Sequence, residues 1–365
     1  MDGTFPGARA ASADINRIGT AVPSNDVHQP FIDFADSLLP DARARRLFAR
    51  MAERSGIGHR YSHLRPNPPG APSLDDAGFY RRGAFPGTSE RMRFYEREAT
   101  ALALQAIGAL AIAPAEITHL IVASCTGFSA PGLDQIIQQR FGLSPSIERM
   151  LIGFMGCYAA VPALRAARHI VRSEPAARVL VVNLELCTLH LQETGDLETV
   201  LSFLLFGDAA SACLVTAEPY GVALHSFHAA TIPGTSELIT WRIGDGGFDM
   251  HLSGQVPPTI AAALRTERAR NDGAGMLQGG SAGDVAHWAV HAGGRTVLDA
   301  VEQGFELPAQ ALSHSRRVLH DVGNVSSATL PLVLSRLLDQ GEKGPGLAMA
   351  FGPGLAAETF RFSMV

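Results

Sequence analysis

Residues 153–171 of the chain read GFMGCYAAVPALRAARHIV, and residues 178–186 continue with RVLVVNLEL. Proline is tolerated in a helix only in the first turn, where its missing N–H would have had no partner. Pro162 therefore predicts a helix that begins near residues 159–162. Apolar residues then recur at the i, i+3 and i+4 spacing of one helix face. The continuous apolar run that follows is typical of a strand buried on both faces, so the two stretches predict one helix–strand unit of an α/β fold.

A cysteine stands at the tip of this predicted helix. Cys157 precedes the first turn, where unpaired N–H groups and the helix dipole favour a negative charge. That position favours the thiolate, which is the form of cysteine that attacks carbonyl carbon. Glycines at positions 153 and 156 allow close approach of the backbone. We therefore expect Cys157 to be a nucleophile, with an inert packing cysteine as the alternative.

The same alternation of helix and strand runs through most of the chain. Further helix and strand patterns occupy residues 91–110, 119–124, 211–218, 221–231, 287–290, 326–340 and 346–351. They predict sheets that are covered by helices on both faces. We expect a loose arm over about the first 30 residues and a Pro/Gly-rich surface excursion at residues 62–90.

The two halves of the chain resemble each other in spacing. Cys157 lies 22 residues before the strand that begins at Val179, and Asn324 lies 23 residues before the strand that begins at Leu347. A duplicated α/β unit would place both residues at equivalent positions across a pseudo-two-fold axis, although chance recurrence gives the same spacing. We expect an N-terminal half at residues 1–218, which carries the cysteine, and a C-terminal half at residues 219–365.

Two residues of the second half are candidates to complete a site with the cysteine. A thiolate nucleophile needs an imidazole within hydrogen-bond reach. Of the thirteen histidines, His291 ends the apolar run HWAV, and active sites of α/β folds collect at the C-terminal ends of strands. Asn324 follows Gly323 and precedes a helix with Pro331 in its early turn. It is either an ordinary helix N-cap or a donor of amide N–H to a developing oxyanion.

Composition limits the classes of function. The net charge of −5 and the pI of about 6.2 give no basic field, so we expect neither a nucleic acid nor an anionic membrane as partner. No run approaches 18 apolar residues and the first residues do not resemble a signal peptide, so we expect a cytoplasmic protein. The four cysteines are too few and too scattered for a disulfide framework, and they lack the spacing of a metal site.

Five motifs, in this order, resemble the type III polyketide synthases, the relatives of chalcone and stilbene synthase. They are GCYAA, LFGDAASA, HAGGRTVLD, GNVSSA and AFGPGLAAE. The resemblance covers residues 90–365 well and the first 90 residues loosely. The His-Ala-Gly-Gly run at His291 is similar to this family's His-Pro-Gly-Gly, with Ala292 in place of proline, and differs from the His-Gln-Ala-Asn of β-ketoacyl-carrier-protein synthase III.

The resemblance implies a thiolase fold, which is a duplicated five-layer αβαβα sandwich, and a homodimer. It implies iterative decarboxylative condensation of malonyl-CoA onto an acyl-CoA starter, then cyclisation to a resorcinol, pyrone or naphthalene-type product. Cys157 would hold the acyl group, while His291 and Asn324 would hydrogen-bond the malonyl thioester carbonyl. No metal or redox cofactor is implied, because the thioester itself makes the carbanion accessible.

The resemblance also assigns the surroundings of the site. Phe206 matches a gatekeeper phenylalanine, and Met250 stands where the plant enzymes have a second one, which puts the plant-type product in doubt. His190 stands where those enzymes have threonine, and Trp241 where they have glycine, so we expect a reshaped cavity. The other matches are the cavity-lining residues Cys125, Thr126, Ser326 and Pro353, and the coenzyme A-binding residues Arg50 and Arg54, for which solvated surface charge is the alternative.

Other functions remain open at the level of sequence. A β-ketoacyl-carrier-protein synthase III or a hydroxymethylglutaryl-CoA synthase is the first alternative among enzymes. Papain-like hydrolases use the same three residue types, but their cysteine lies near the N-terminus in a Cys-Gly-Ser-Cys-Trp setting, which this sequence lacks. A catalytically inactive binding protein is the remaining alternative.

Overall fold

The computed structural model describes residues 12–270 and 272–365. Within these ranges the chain forms a mixed α/β fold. The strands are β1 (Asp14–Ala21), β2 (Asn25–Asp26), β3 (Tyr61–Ser62), β4 (His119–Ser124), β5 (Glu148–Gly153), β6 (Val179–Leu186), β7 (Asp208–Thr216), β8 (Val222–Thr231), β9 (Ile239–Gly244), β10 (Gly247–Leu252), β11 (His287–Val290), β12 (Gly344–Gly352) and β13 (Ala356–Met364).

The helices of the described ranges account for the layers around the sheet. They are α1 (His28–Leu38), α2 (Ala42–Glu53), α3 (Thr88–Gly108), α4 (Leu133–Phe141), α5 (Ala160–Ser173), α6 (Leu197–Phe203), α7 (Val256–Arg268), α8 (Arg295–Phe305), α9 (Ser313–Val322) and α10 (Thr329–Asp339). No helix of the described ranges has both the length and the apolar character that crossing a membrane requires.

Nine strands hydrogen-bond in the order β11-β12-β13-β8-β1-β7-β6-β4-β5. The first four of these come from the second half of the chain and the other five from the first half. The halves meet between β1 and β8 through only two residue pairs, Asp14 with Ala223 and Ile15 with Val222. The predicted division at residues 218 and 219 falls between β7 and β8, and it stays a prediction.

Three apolar clusters fill the spaces between the layers. Alternate residues of β6 divide between them, because successive side chains of a strand point to opposite faces. Leu180 packs into the cluster that holds α3, and Val181 packs into the cluster that holds α5 and α10. On the other side of β12, Met349 packs with α7 and α8. The resulting order of helix, sheet, helix, sheet and helix is the predicted five-layer sandwich.

The predicted helix–strand unit occurs twice. Gly156–Tyr158 forms a 3-10 turn that leads into α5 and then β6, and Ser326–Ala328 forms a 3-10 turn that leads into α10 and then β12. Helix α5 begins at Ala160, inside the range that Pro162 predicts. Both helices lie in the central layer, so Cys157 and Asn324 approach it from equivalent places in the two halves.

Two expectations about the N-terminal region are wrong. Asp14–Ala21 is not part of a loose arm but a strand in the middle of the sheet, paired with β7 along its length. The start of the expected arm, residues 1–11, lies outside the described residues. The excursion at residues 62–90 is partly buried, because Tyr80 is fully enclosed and its hydroxyl donates to the carbonyl of Thr188 at 2.7 Å.

Candidate active site

The first side chain of the site stands at a tight turn before α5. Gly156 has a φ of 73°, and a Cβ at that position would lie 2.4 Å from Cδ of Pro353. Only glycine fits a positive φ at such close approach. The turn therefore places Cys157 against the loop that follows β12, at the N-terminal end of α5.

The second side chain lies at the end of β11. The backbone N–H of His291 donates to the carbonyl of Met349 at 2.8 Å, which fixes the residue to the neighbouring strand. Its ring is buried, and within the described chain neither ring nitrogen has a hydrogen-bond partner. Burial lowers the pKa of His291 to about 3, so the imidazole is neutral. A buried polar ring without partners is costly, which is typical of a group that meets a substrate.

The third side chain has its orientation fixed by the backbone. Oδ1 of Asn324 accepts from the N–H of Ser326 at 2.9 Å, and Nδ2 donates to the carbonyl of Gly293 at 3.2 Å. The side-chain amide of Asn324 and the hydroxyl of Ser326 both lower the pKa of the Cys157 thiol, which is the effect of hydrogen-bond donors that face the sulfur. The amide therefore presents its N–H side, and not its oxygen, to the cysteine.

All three side chains line one cavity. The space between its atoms is about 790 Å³ with the open mouth included, and its wall is mainly apolar. Seven of the eight residues expected around the substrate also line it, namely Phe206, Met250, Cys125, Thr126, Trp241, Ser326 and Pro353. The structure thus brings Cys157 of the first half together with His291 and Asn324 of the second.

The ionisation of Cys157 differs from the sequence expectation. Although part of the residue faces the cavity, burial raises the pKa of its thiol to about 11, and the buried Glu185 carboxylate adds to this rise. Hydrogen bonds from Ser326 and Asn324 act in the opposite direction. The position at a helix end is as expected, but desolvation outweighs it and favours the thiol form.

One hairpin covers the side of the cavity. In it, Trp241 of β9 pairs directly with Met250 of β10, and the indole N–H donates to the carbonyl of Cys125 at 2.9 Å. His190 does not line the cavity as expected. Its ring stacks on Phe248 at 4.2 Å, accepts from the N–H of that residue and donates to the carbonyl of Thr126. His190 therefore supports the wall from behind.

A second opening leads toward the site from the surface. Its space is about 1400 Å³ with the open mouth included, and Leu252, Val256, Gly293 and Val297 line both this opening and the cavity. Arg54 lies on its wall, whereas Arg50 does not. Arg295, which the sequence did not single out, lies there too and donates to the carbonyl of Arg54 at 3.1 Å.

Two family models match this chain. "Chalcone and stilbene synthases, N-terminal domain" matches residues 6–219, and "Chalcone and stilbene synthases, C-terminal domain" matches residues 223–365. The chain belongs to this family. It is a type III polyketide synthase, and therefore an acyltransferase that condenses malonyl-CoA onto an acyl starter.

Curated relatives extend over most of the chain. The alpha-pyrone synthesis polyketide synthase-like Pks18 of Mycobacterium tuberculosis is 32% identical over 99% of this chain and 93% of its own length. Bisdemethoxycurcumin synthase of Oryza sativa is 33% identical over 95% of this chain and 91% of its own. The 1,3,6,8-tetrahydroxynaphthalene synthase of Streptomyces griseus is 34% identical over 75% of each chain. These comparisons do not favour the other condensing enzymes that the sequence left open.

A solved structure of the family has the same fold. The 1,3,6,8-tetrahydroxynaphthalene synthase of Streptomyces coelicolor superposes with a TM-score of 0.84 at 27% identity, covering 96% of this chain and 99% of that chain. The expected thiolase fold is confirmed by this likeness and by the layers of this type III polyketide synthase. Its substrates are coenzyme A thioesters, and the family needs no further cofactor. Among the described residues, no three His, Cys, Asp or Glu side chains form a group that could hold a metal ion.

A buried carboxylate near Cys157 was not identified from the sequence. Glu185, at the end of β6, accepts from the N–H of Cys125 at 3.1 Å and from the hydroxyl of Thr126 at 2.9 Å, and Ser327 also donates to it. Burial raises its pKa, and these donors oppose the rise. A charged residue inside the otherwise apolar run RVLVVNLEL is the signal that could have identified it.

Proposed function

We propose that Cys157 carries the starter and growing chain of this type III polyketide synthase, with His291 and Asn324 as its catalytic partners. The observation that carries the proposal is the cavity that all three side chains line, in which both ring nitrogens of His291 are free of other partners. Each group then has one task for which its chemistry and its surroundings suit it.

Loading of the starter begins with the resting thiol. The sulfur of Cys157 attacks the carbonyl carbon of the acyl-CoA thioester, the C–S bond to coenzyme A breaks, and the new thioester forms. The neutral ring of His291 takes the thiol proton and returns it to the departing coenzyme A thiolate. Burial lowers the pKa of His291 to about 3 and so keeps the ring neutral, which leaves one ring nitrogen unprotonated and available to the thiol proton.

Extension uses the same donors in another role. Malonyl-CoA loses carbon dioxide, and the negative charge that remains is shared by the enolate oxygen. The amide N–H of Asn324 and the ring N–H of His291 donate to that oxygen and stabilise the charge. The enolate carbon then attacks the Cys157 thioester, which frees the sulfur for the next round.

The cavity supports a compact cyclic product. Trp241 and Met250 occupy its side wall and Phe206 lies between the catalytic cysteine and the region behind it, so the room for a chain is limited. We propose a pyrone, resorcinol or naphthalene-type product, in agreement with the products in the names of two relatives. Phe206, Met250, Cys125, Thr126, Ser326 and Pro353 would contact the chain, and Arg54, with Arg50 nearby, would bind coenzyme A phosphates.

We further propose that the enzyme is a homodimer of the cytoplasm. The edge strand β5 exposes Met150 at 45% and Leu151 at 42%, and Phe128 nearby is 37% exposed. A cluster of large exposed apolar side chains on a sheet edge is typical of a subunit interface. Analytical ultracentrifugation tests this proposal: sedimentation as a monomer at micromolar concentration would contradict it.

Replacement of the nucleophile tests the central assignment. We expect Cys157→Ala to abolish polyketide formation from acyl-CoA and malonyl-CoA, measured by mass spectrometry of the products. Cys213→Ala, which removes a buried thiol of β7 that does not line the cavity, is the control and should retain activity. Continued product formation by Cys157→Ala would overturn the assignment.

A panel of starters tests the product class. The enzyme is incubated with malonyl-CoA and with short-chain, aromatic and long-chain acyl-CoAs, and the masses of the products are measured. We expect cyclic products from few extensions, since the cavity is narrow. Products that require many extensions would contradict the proposed use of this cavity.

A further inference from the structure

Helix α2 presents a continuous basic and apolar face beside the mouth of the substrate opening. At 3.6 residues per turn, Arg43, Arg46, Leu47, Arg50 and Met51 fall within an arc of about 140°. All five are exposed, and Leu47 and Met51 are each 43% exposed. On the opposite side of the helix, Phe48 and Ala52 are buried in the core. We call the five exposed residues the α2 face.

The charges of the α2 face are not balanced within the protein. None of the ion pairs among the described residues includes Arg43, Arg46, Arg50 or Arg54. Glu53 flanks the arc, and Asp41 caps the helix close to Arg43. The four guanidinium groups therefore outnumber these two carboxylates in a chain whose net charge is −5. This local excess favours an acidic partner.

The basic surface of α2 extends further than the binding of coenzyme A phosphates requires. Arg43 and Arg54 are eleven residues apart, which is about 16 Å along a helix. Met51 and Arg54 line the opening that leads to the catalytic cavity, and they lie at one end of the face. Arg50 and Arg54 suffice for phosphates at that mouth, whereas Arg43, Arg46 and Leu47 lie one to three turns further away and face solvent.

We propose that the α2 face docks a small acidic carrier protein that bears the starter acyl group on a serine-linked phosphopantetheine arm. This inference rests on the proposed function of Cys157. The arm is the same one that coenzyme A carries, so it can enter by the same opening while the carrier stays on the surface. Arginine and methionine are enriched at interfaces, and Leu47 and Met51 between the arginines supply an apolar contact.

The transfer step is balanced without a co-reactant. The sulfur of Cys157 attacks the acyl carbon, the C–S bond to the carrier's pantetheine breaks, and the thiol proton passes to the released pantetheine sulfur. The products are acyl-Cys157 and the carrier protein with a free thiol. The α2 face takes no part in this chemistry and acts only on the encounter with the donor.

The test compares two donors of the same acyl group. Purified full-length enzyme is mixed with octanoyl-CoA or with an acidic fatty-acid carrier protein loaded with octanoyl phosphopantetheine, and acylation of Cys157 is followed by intact-protein mass. We expect Arg43→Glu/Arg46→Glu to slow loading from the carrier about tenfold or more, and loading from octanoyl-CoA by less than about twofold. Raising the salt concentration to 0.5 M should remove most of that difference, because exposed charges are screened.

Two further variants complete the design. Leu47→Ala should slow loading from the carrier alone, and truncation of an exposed side chain does not threaten the fold. Arg140→Glu/Arg265→Glu reverses two exposed arginines on α4 and α7 and is the matched control, for which both donors should load as in the unaltered enzyme.

The outcomes separate this inference from the proposed function. Loading of the unaltered enzyme by octanoyl-CoA but not by the carrier would overturn the docking proposal alone, as would equal slowing of both donors in Arg43→Glu/Arg46→Glu. Binding of that face to vesicles of anionic phospholipid, lost in the variant while loading from the carrier is unchanged, would overturn it in favour of a membrane. Failure of both donors to acylate Cys157 would overturn both proposals.

Discussion

The reactivity of Cys157 depends on the pKa of its thiol, on which the neighbouring groups have opposing effects. Burial and the Glu185 carboxylate raise the pKa of the thiol to about 11, and the donors Ser326 and Asn324 oppose this rise. Ser326 has a φ of 49°, an uncommon conformation for a residue with a side chain. That turn positions its hydroxyl against both Cys157 and Cys125, so the strained backbone serves the site.

Removal of one donor tests this balance. We expect Ser326→Ala to raise the pKa of Cys157 by roughly one unit, because a hydrogen bond to the thiolate is lost. The pKa is measured from the pH dependence of alkylation by iodoacetamide, with the modified cysteine identified by mass spectrometry. Ser327→Ala, whose hydroxyl donates to Glu185, is the control and should not raise it. An unchanged or lower midpoint in Ser326→Ala would contradict the account.

At the scale of elements, the hairpin of β9 and β10 determines the width of the cavity. Trp241 and Met250 are cross-strand partners, and a hydrogen bond fixes the indole to the backbone of Cys125. The ring of His190 meets Trp241 edge-on at 5.2 Å and supports it from behind. Because the indole of Trp241 is held on both sides, we expect its volume to limit the length of the growing chain.

Shortening this side chain should lengthen the product. We expect Trp241→Ala to shift the product masses upward by at least one two-carbon extension, measured by mass spectrometry with a fixed starter. Ile243→Ala is the control, because Ile243 lies on the same strand and is 61% exposed, away from the cavity lining. Identical product masses for Trp241→Ala and the unaltered enzyme would contradict the role of the hairpin in chain length.

The sequence predicts the elements that are buried on both faces better than those that are partly exposed. The helix after Cys157 and strands β4, β6 and β12 follow directly from apolar spacing and from Pro162. Strand β1 does not, because DINRIGTA mixes polar residues into a central position. The hairpin of β9 and β10 was not predicted, because most of its residues are partly or fully exposed. The position of His190 was not predicted either, because it depends on stacking with Phe248, which the spacing of residues does not show.

At the scale of the whole molecule, duplication brings two kinds of chemistry to one place. In the proposed mechanism, the first half supplies a nucleophile before α5, and the second supplies a base at the end of β11 and a donor before α10. The central layer that joins α5 and α10 is continuous apolar core, so the halves hold the three groups at fixed separation. This rigidity costs stability where a polar group is enclosed without partners.

The burial of His291 makes the free energy of unfolding depend on pH. Its pKa is about 3 when folded and about 6.5 when unfolded. Between these values the unfolded state binds the extra proton, so the stability that depends on a neutral ring is present above pH 6.5 and lost as the pH falls. Between pH 7.5 and pH 5, we expect the free energy of unfolding of the unaltered enzyme to fall by about 2 kcal/mol more than that of His291→Gln.

Urea unfolding at the two pH values measures this difference. His225→Gln, at an exposed site where the ring hydrogen-bonds to the hydroxyl of Ser363 at 2.8 Å, is the comparison and should show a smaller change. A variant that loses as much stability as the unaltered enzyme between pH 7.5 and pH 5 would show that His291 is not held neutral by burial.

In the proposed mechanism, three groups from the two halves of the chain act on one thioester in different steps. The most direct measurement follows the two half-reactions of Asn324→Ala separately, with acylation of Cys157 monitored by intact-protein mass and decarboxylation of malonyl-CoA monitored by release of carbon dioxide. We predict that decarboxylation falls by about a hundredfold or more while starter loading stays within several-fold of the unaltered enzyme. Equal losses in the two half-reactions would contradict the claim.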